Sequence, residues 1–139
     1  MTTSAAWLAD TSVAVPAVLA SHTAHRDVRR GIGERVVVLA AHSALETYAV
    51  LTRLPGDARL TPADAAVLIE RRFGTSVVPS AVRVQAMPTE LAALGIAGGA
   101  TYDALIAITA AEAGLRLVTR DTRAAATYSR LNVPHDYLL

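Results

Sequence analysis

Two acidic residues of this chain stand at the ends of short apolar runs that are typical of buried strands. Asp10 directly follows the run Trp7 to Ala9, and Asp121 comes two residues after the run Leu115 to Thr119. The carboxyl ends of parallel strands lie at one edge of a sheet, where α/β proteins bind their ligands. The spacing therefore predicts that these two carboxylates share a site.

Two further acids lie on predicted helices. Glu46 takes the third position of a helix that Ser43 is expected to open, in the pattern of a capping box. Asp103 lies in the first turn of a very apolar helix expected over 101–113, where a carboxylate has little local purpose. Both helices begin at the same edge of the predicted sheet, so the sequence predicts a cluster of four carboxylates.

Such a cluster has a recognisable chemistry. Carboxylates brought together shift one another's pKa values, and a divalent cation is the usual remedy. Mg²⁺ and Mn²⁺ prefer oxygen ligands and can activate water and stabilise charge on a phosphodiester. The hydroxyl groups of Thr11, Ser12 and Thr119 flank the acids and are expected to orient waters or ligands.

Three of the four acids also have ordinary structural explanations. Asp10 and Asp121 are suitable helix or turn caps, and Glu46 fits a capping box without any further role. Only the joint placement of the four at one sheet edge favours a functional site.

The elements that position these residues alternate along the chain. Short runs rich in Val and Leu are separated by Ala-rich helical segments, which predicts α/β architecture with helices on both faces of the sheet. We expect residues 1–139 to form a single three-layer α/β/α domain with a central, mostly parallel sheet of four to five strands. A short strand is expected over 76–78 and an edge strand over 135–138. Pro88 is expected to break the helix that follows Ser80.

Composition excludes several kinds of site. The chain has no cysteine, which removes disulfides and thiolate metal ligands, and all 13 basic residues are Arg, so mechanisms that need a lysine are absent. No basic leader or long apolar stretch is present, which predicts a cytoplasmic protein with no membrane contact. A hydrophobic content of 53% in so small a chain suggests a buried partner surface, and we expect a homodimer.

Three segments carry a family resemblance. The stretches LADTS at 8–12, HSALETYAVLTRL at 42–54 and GGATYDALIAITAAEAGLRLVTRD at 98–121 resemble the PIN-domain ribonucleases, and most of all the VapC toxins of bacterial toxin–antitoxin pairs. The resemblance covers nearly the whole chain in the usual order. The region 55–95 carries little of it.

The resemblance implies a set of roles. The four acids of the family fall on Asp10, Glu46, Asp103 and Asp121, of which Asp10 and Asp103 would be the principal metal ligands. It implies an Mg²⁺- or Mn²⁺-dependent endoribonuclease that uses water to cut structured RNA such as tRNA or rRNA, leaving a 5′-phosphate and a 3′-hydroxyl. It also implies a dimer and a cognate VapB-type antitoxin.

Other polar residues are weaker candidates. Arg53, Arg120 and Arg123 lie near the acids and could touch RNA phosphate, although a surface role explains each of them as well. Trp7 and Tyr102 are expected in the core or an interface instead of against a base. None of the four histidines has a convincing metal-ligand spacing.

Alternative functions remain for this pattern. A phospho-receiver domain normally needs a lysine near the last strand, and this chain has none. A magnesium-dependent phosphatase with Asp10 as nucleophile would carry a second aspartate where Ser12 stands. A catalytically silent PIN-like module that binds RNA or protein stays open.

Overall fold

The strands of the protein form one sheet whose elements follow the predicted alternation. A computed structural model describes residues 6–139. The strands in this part are β1 (Trp7–Ala9), β2 (Val37–Leu39), β3 (Arg116–Thr119) and β4 (His135–Tyr137). The α-helices are α1 (Thr11–Val18), α2 (His25–Ile32), α3 (Ala41–Thr52), α4 (Pro62–Phe73), α5 (Ala81–Leu94), α6 (Ala100–Ala113) and α7 (Thr122–Arg130), and a 3₁₀ turn spans Gly56–Ala58.

All four strands are parallel, in the order β2-β1-β3-β4. The chain places β2 on one side of β1 and then crosses to place β3 and β4 on the other side. The crevice between the carboxyl ends of β1 and β3 is therefore the topological switch point, which is the usual ligand site of such a sheet. The edge strand expected near the C-terminus is confirmed as β4.

Alternating side chains bury the two faces of the sheet under separate helical layers. Ala9 and Val118 pack with α1, α2 and α4 on one face, whereas Leu8 and Leu117 pack with α6 and α7 on the other. A third apolar cluster, centred on Met87, joins α5 to α6. The three-layer α/β/α fold is confirmed. Within residues 6–139, no helix is both long and apolar enough to cross a membrane.

The predicted break at Pro88 is wrong, because α5 runs through it without interruption. Met87 and Leu91 are buried against α6 on either side of the proline. Arg83 Nη1 also lies 2.5 Å from Glu90 Oε2, and this ion pair spans the proline along the helix surface. Tertiary packing therefore holds together a helix that loses one backbone hydrogen bond at Pro88.

The start of α3 also differs from the prediction. The helix begins at Ala41 instead of Ser43, which places Glu46 in its second turn and leaves no capping box. Ser43 is fully buried inside the helix, and its hydroxyl has no hydrogen-bond partner among residues 6–139. Glu46 therefore lacks the local structural role that the sequence suggested for it.

The strand expected over 76–78 is reduced to a single bridge. Val77 pairs in parallel with Ala40, its N–H donating to Leu39 O at 2.8 Å and its carbonyl accepting from Ala41 N at 2.9 Å. The segment that contains Ala40 enters α3 at the next residue, so the pairing between the two segments cannot continue.

Candidate active site

Asp10 is the most enclosed acid of the predicted cluster. It follows β1 at the switch point and is only 4% exposed. Its Oδ1 caps α1 by accepting from Ser12 N at 3.1 Å and Ser12 Oγ at 2.5 Å, and its Oδ2 accepts from the Tyr128 hydroxyl at 2.8 Å. Burial raises the pKa of Asp10, and hydrogen bonds from Ser12, Thr119 and Tyr128 oppose that rise.

The predicted hydroxyl residues connect the ends of β1 and β3. Ser12 Oγ lies 3.3 Å from Thr119 Oγ1 and accepts from Arg120 N at 2.8 Å, while Thr119 Oγ1 accepts from Asp121 N at 3.0 Å. Hydrogen bonds therefore join the segment that follows β1 to the segment that follows β3, next to the acids. The structure gives these hydroxyls a positioning role between the strand ends.

Asp121 begins α7 as its N-cap. Its Oδ1 accepts from Arg123 N at 2.9 Å and from Ala124 N at 3.4 Å. The structural explanation for this acid is thus correct, yet the cap also holds the carboxylate beside the cleft. The Oδ1 atom caps the helix, and within residues 6–139 the Oδ2 atom accepts no hydrogen bond.

Glu46 reaches the cleft from the second turn of α3. Its Oε2 accepts from the Thr11 hydroxyl at 3.3 Å, and its Oε1 bonds to His42 Nε2 one helical turn earlier. His42 was not predicted as a site residue, although its spacing four residues before Glu46 on a helix was a usable signal.

Asp103 carries the least favourable charge of the group. It lies in the first turn of α6, partly buried. Burial raises its pKa to about 6, with further contributions from the negative charges of Asp121, Asp10 and Glu46, while His42 acts in the opposite direction. The folded protein therefore holds this carboxylate in surroundings that favour its neutral form.

The four acids line a single small cleft at the switch point. It measures about 70 Å³, and Thr11, Ser12, Ile106 and Ala124 complete its wall. The prediction that the fold would bring these acids together is therefore correct in its geometry.

The cleft fits a hard divalent cation. Its ionisable donors are carboxylates, and the mutual repulsion recorded at Asp103 is what a cation would relieve. Within residues 6–139, no three or more His, Asp or Glu side chains are arranged so that together they could hold a metal ion. An ion would thus take one or two carboxylates directly and keep several waters, which is the habit of Mg²⁺.

Tyr128 is a site residue that the sequence did not reveal. It is completely buried in α7, and its hydroxyl is the partner of Asp10 Oδ2. The same burial and the neighbouring negative charge of Asp10 raise the pKa of Tyr128 far above its usual value, so the hydroxyl keeps its proton and donates a hydrogen bond to the carboxylate. Nothing near Tyr128 in sequence marks it, because its partner lies 118 positions away.

The predicted arginines do not line the cleft. Arg120 donates from Nε to Leu138 O at 3.3 Å, and Arg53 and Arg123 have exposed side chains. The structure thus places these arginines around the site without bringing them into it. The aromatic Tyr102, expected in the core or an interface, does not lie in the core, since it is 55% exposed.

Comparisons with known proteins agree on a family. The PIN domain profile matches residues 8–129. The chain is 47% identical over 124 residues to Ribonuclease VapC27 of Mycobacterium tuberculosis, covering 89% of this chain and 90% of that protein. It is 43% identical over 125 residues to Ribonuclease VapC40 of the same species, covering 89% and 92%.

Solved structures show the same fold at low sequence identity. VapBC2 from Rickettsia felis, bound to a promoter DNA fragment, aligns with a TM-score of 0.64 at 15% identity and covers 94% of this chain and 97% of its own. FitAcB from Neisseria gonorrhoeae aligns with a TM-score of 0.65 at 20% identity, covering 92% and 94%.

The raised pKa of Asp103 predicts a pH-dependent gain in stability for Asp103→Asn without metal. The native pKa of about 6 exceeds the usual 3.8, so the penalty is absent below pH 4 and complete above about pH 6. At pH 7.5 in EDTA we expect the free energy of unfolding of the variant to exceed that of the unaltered protein by about 1–2 kcal/mol, a figure that allows for solvent screening in the open cleft. Urea denaturation at both pH values measures this. A gain that is equal at pH 4 and pH 7.5 would contradict it.

The buried hydrogen bond between Tyr128 and Asp10 predicts a cost for Tyr128→Phe. Removing the hydroxyl deprives a buried carboxylate of one donor, and we expect a loss of about 1–2 kcal/mol in unfolding free energy. Tyr137→Phe is the matched control, because its exposed hydroxyl donates only to Arg120 O and should change stability by less than about 0.5 kcal/mol. Equal effects of the two substitutions in urea denaturation would show that the buried contact has no special weight.

Proposed function

Because the chain belongs to the PIN-domain family and, within it, to the VapC ribonucleases, we propose that it is a metal-dependent endoribonuclease acting as the toxin of a toxin–antitoxin pair. The observation that carries this proposal is the joint placement of four carboxylates around one cleft at the switch point of the sheet. The contact between the hydroxyls of Ser12 and Thr119 and the hydrogen bond from Tyr128 to Asp10 hold that arrangement in place.

The residues of the cleft divide the work. Asp10 and Asp103 are proposed as the principal direct ligands of Mg²⁺ or Mn²⁺, with Glu46 and Asp121 completing the shell through waters or a second ion. When bound, such an ion supplies an activated water and neutralises charge on the phosphodiester. Tyr128 and Ser12 fix the orientation of the Asp10 carboxylate by donating to its two oxygens. A side-chain nucleophile is not required.

The substrate and partners are inferred from the relatives. Structured RNA such as tRNA or rRNA is proposed as the substrate, because the similar proteins of Mycobacterium tuberculosis are named ribonucleases. A cognate VapB-type antitoxin is proposed as the partner, since VapBC2 and FitAcB share the fold. The proposed place of action is the cytoplasm, where RNA and antitoxin are available.

The central test is Asp103→Asn, which preserves shape while removing charge. We expect Mn²⁺ affinity, measured by calorimetry, to fall at least roughly 100-fold, and RNA cleavage and growth arrest on expression without antitoxin to disappear. Asp64→Asn is the matched control, because Asp64 also lies in the first turn of its helix, α4, and is exposed away from the cleft. Wild-type metal affinity and cleavage in Asp103→Asn would remove this residue from the site. Metal binding without cleavage by the unaltered protein would favour a silent RNA- or protein-binding module.

A homodimer is also proposed, supported by the apolar surface of α5 and α6. A groove of about 530 Å³ there includes Val84, Met87 and Leu91, and Val82 beside it is 79% exposed. We expect sedimentation at micromolar concentration to give twice the chain mass of 14.5 kDa. Val84→Glu should yield the monomer, whereas Val67→Glu, at an exposed position of α4, should leave the dimer intact. A monomeric unaltered protein would contradict the proposal.

A further inference from the structure

Two aromatic rings are stacked at the rim of the acidic cleft. Tyr102 on α6 and His42 on α3 lie with ring centroids 5.1 Å apart and planes within 5° of parallel. The Tyr102 residue is 55% exposed, and the His42 side chain is 26% exposed. His42 thus stacks against the Tyr102 ring, and Tyr102 also lines the apolar groove of α5 and α6.

Both rings are tied to acids of the cleft. His42 Nε2 bonds to Glu46, and Tyr102 directly precedes Asp103 in the first turn of α6. The Tyr102 ring therefore lies beside the cleft through its contact with His42, because Glu46, the partner of His42, lines the cleft.

The charge of the cleft makes a neutral contact valuable at this position. Asp10, Glu46, Asp103 and Asp121 repel a polyanionic backbone, and no arginine lines the cleft to offset them. A nucleobase is uncharged and presents a flat π-face, which aromatic side chains bind without regard to base identity. Base stacking is therefore a way to hold RNA beside acids that repel its phosphates.

We propose that Tyr102, supported from beneath by His42, is the stacking platform for an unpaired base of the RNA, on a nucleotide that flanks the phosphate in the cleft. This rests on the proposed function to the extent that RNA is the ligand, and it requires that a dimer formed through the groove of α5 and α6 leave the Tyr102 ring open, because Tyr102 also lines that groove. His42 is a positioning residue in this arrangement, because it orients the Tyr102 ring and engages Glu46. Tyr102 would thus select RNA in which the base beside the cut is unpaired.

The test measures binding in the absence of cleavage. In the Asp103→Asn background, fluorescence anisotropy compares a short labelled single-stranded oligoadenylate with an abasic ribose-phosphate oligomer of the same length. Tyr102→Phe keeps the π-face, and Tyr102→Leu keeps apolar bulk without it. We expect the preference for oligoadenylate to survive in Tyr102→Phe and to fall roughly 10-fold or more in Tyr102→Leu, with the abasic oligomer unaffected. Val67→Ala on α4, exposed and outside both the ring pair and the groove of α5 and α6, is the control and should change nothing.

Each outcome separates this proposal from the proposed function. Equal binding of oligoadenylate by the Phe and Leu variants would overturn the platform, as would the absence of any preference over the abasic oligomer when Tyr102 is intact. A change of sedimentation in Tyr102→Leu without a change in base preference would also overturn it, showing that a second copy of the chain covers the ring. A base preference that depends on the ring, together with no RNA cleavage by the unaltered protein in Mg²⁺ or Mn²⁺, would leave the platform standing and defeat the nuclease proposal.

Discussion

A carboxylate removed from water has to be compensated by hydrogen bonds, and Asp10 imposes this requirement on the centre of the molecule. Its donors come from the start of α1 and from Tyr128 on α7, two elements that pack on opposite faces of the sheet. The Ser12 hydroxyl that serves it also contacts Thr119 at the end of β3. Satisfying one buried charge therefore fixes the relative positions of both helical layers and of the two central strands.

The other acids are added to this framework at an energetic cost. Asp103 is held where burial and three like charges favour its protonated form, so the site works against the stability of the apoprotein. That is expected where function requires a charge distribution that folding alone would not select. The apolar core of α6, with Ala104, Ile106 and Ala107 buried behind the acid, supplies the packing that tolerates it.

The sequence predicts this fold well where local signals and packing agree, as in the strands that precede Asp10 and Asp121. It fails at Pro88, because buried neighbours on α5 hold a helix that local preference would end. It also misplaces the start of α3, where the burial of Ser43 outweighs its capping preference. Asp10, Asp103 and Asp121 could be found because they lie at strand ends and helix starts, and Glu46 because it lies one turn into the helix that follows β2. Tyr128 could not, because contact between residues so distant in sequence leaves no periodic pattern.

The hydrogen bonds that cap α1 and α7 also bear on whether folding depends on the proposed metal ion. Asp10 and Asp121 are oriented by backbone and hydroxyl donors of the chain itself. Folding is thus decoupled from ion binding, in contrast to small zinc domains that are unfolded without their metal. Loss of the proposed ion is therefore not expected to unfold the chain. Occupancy of the proposed metal site would then be governed by the concentration of free ion, with no refolding step in between.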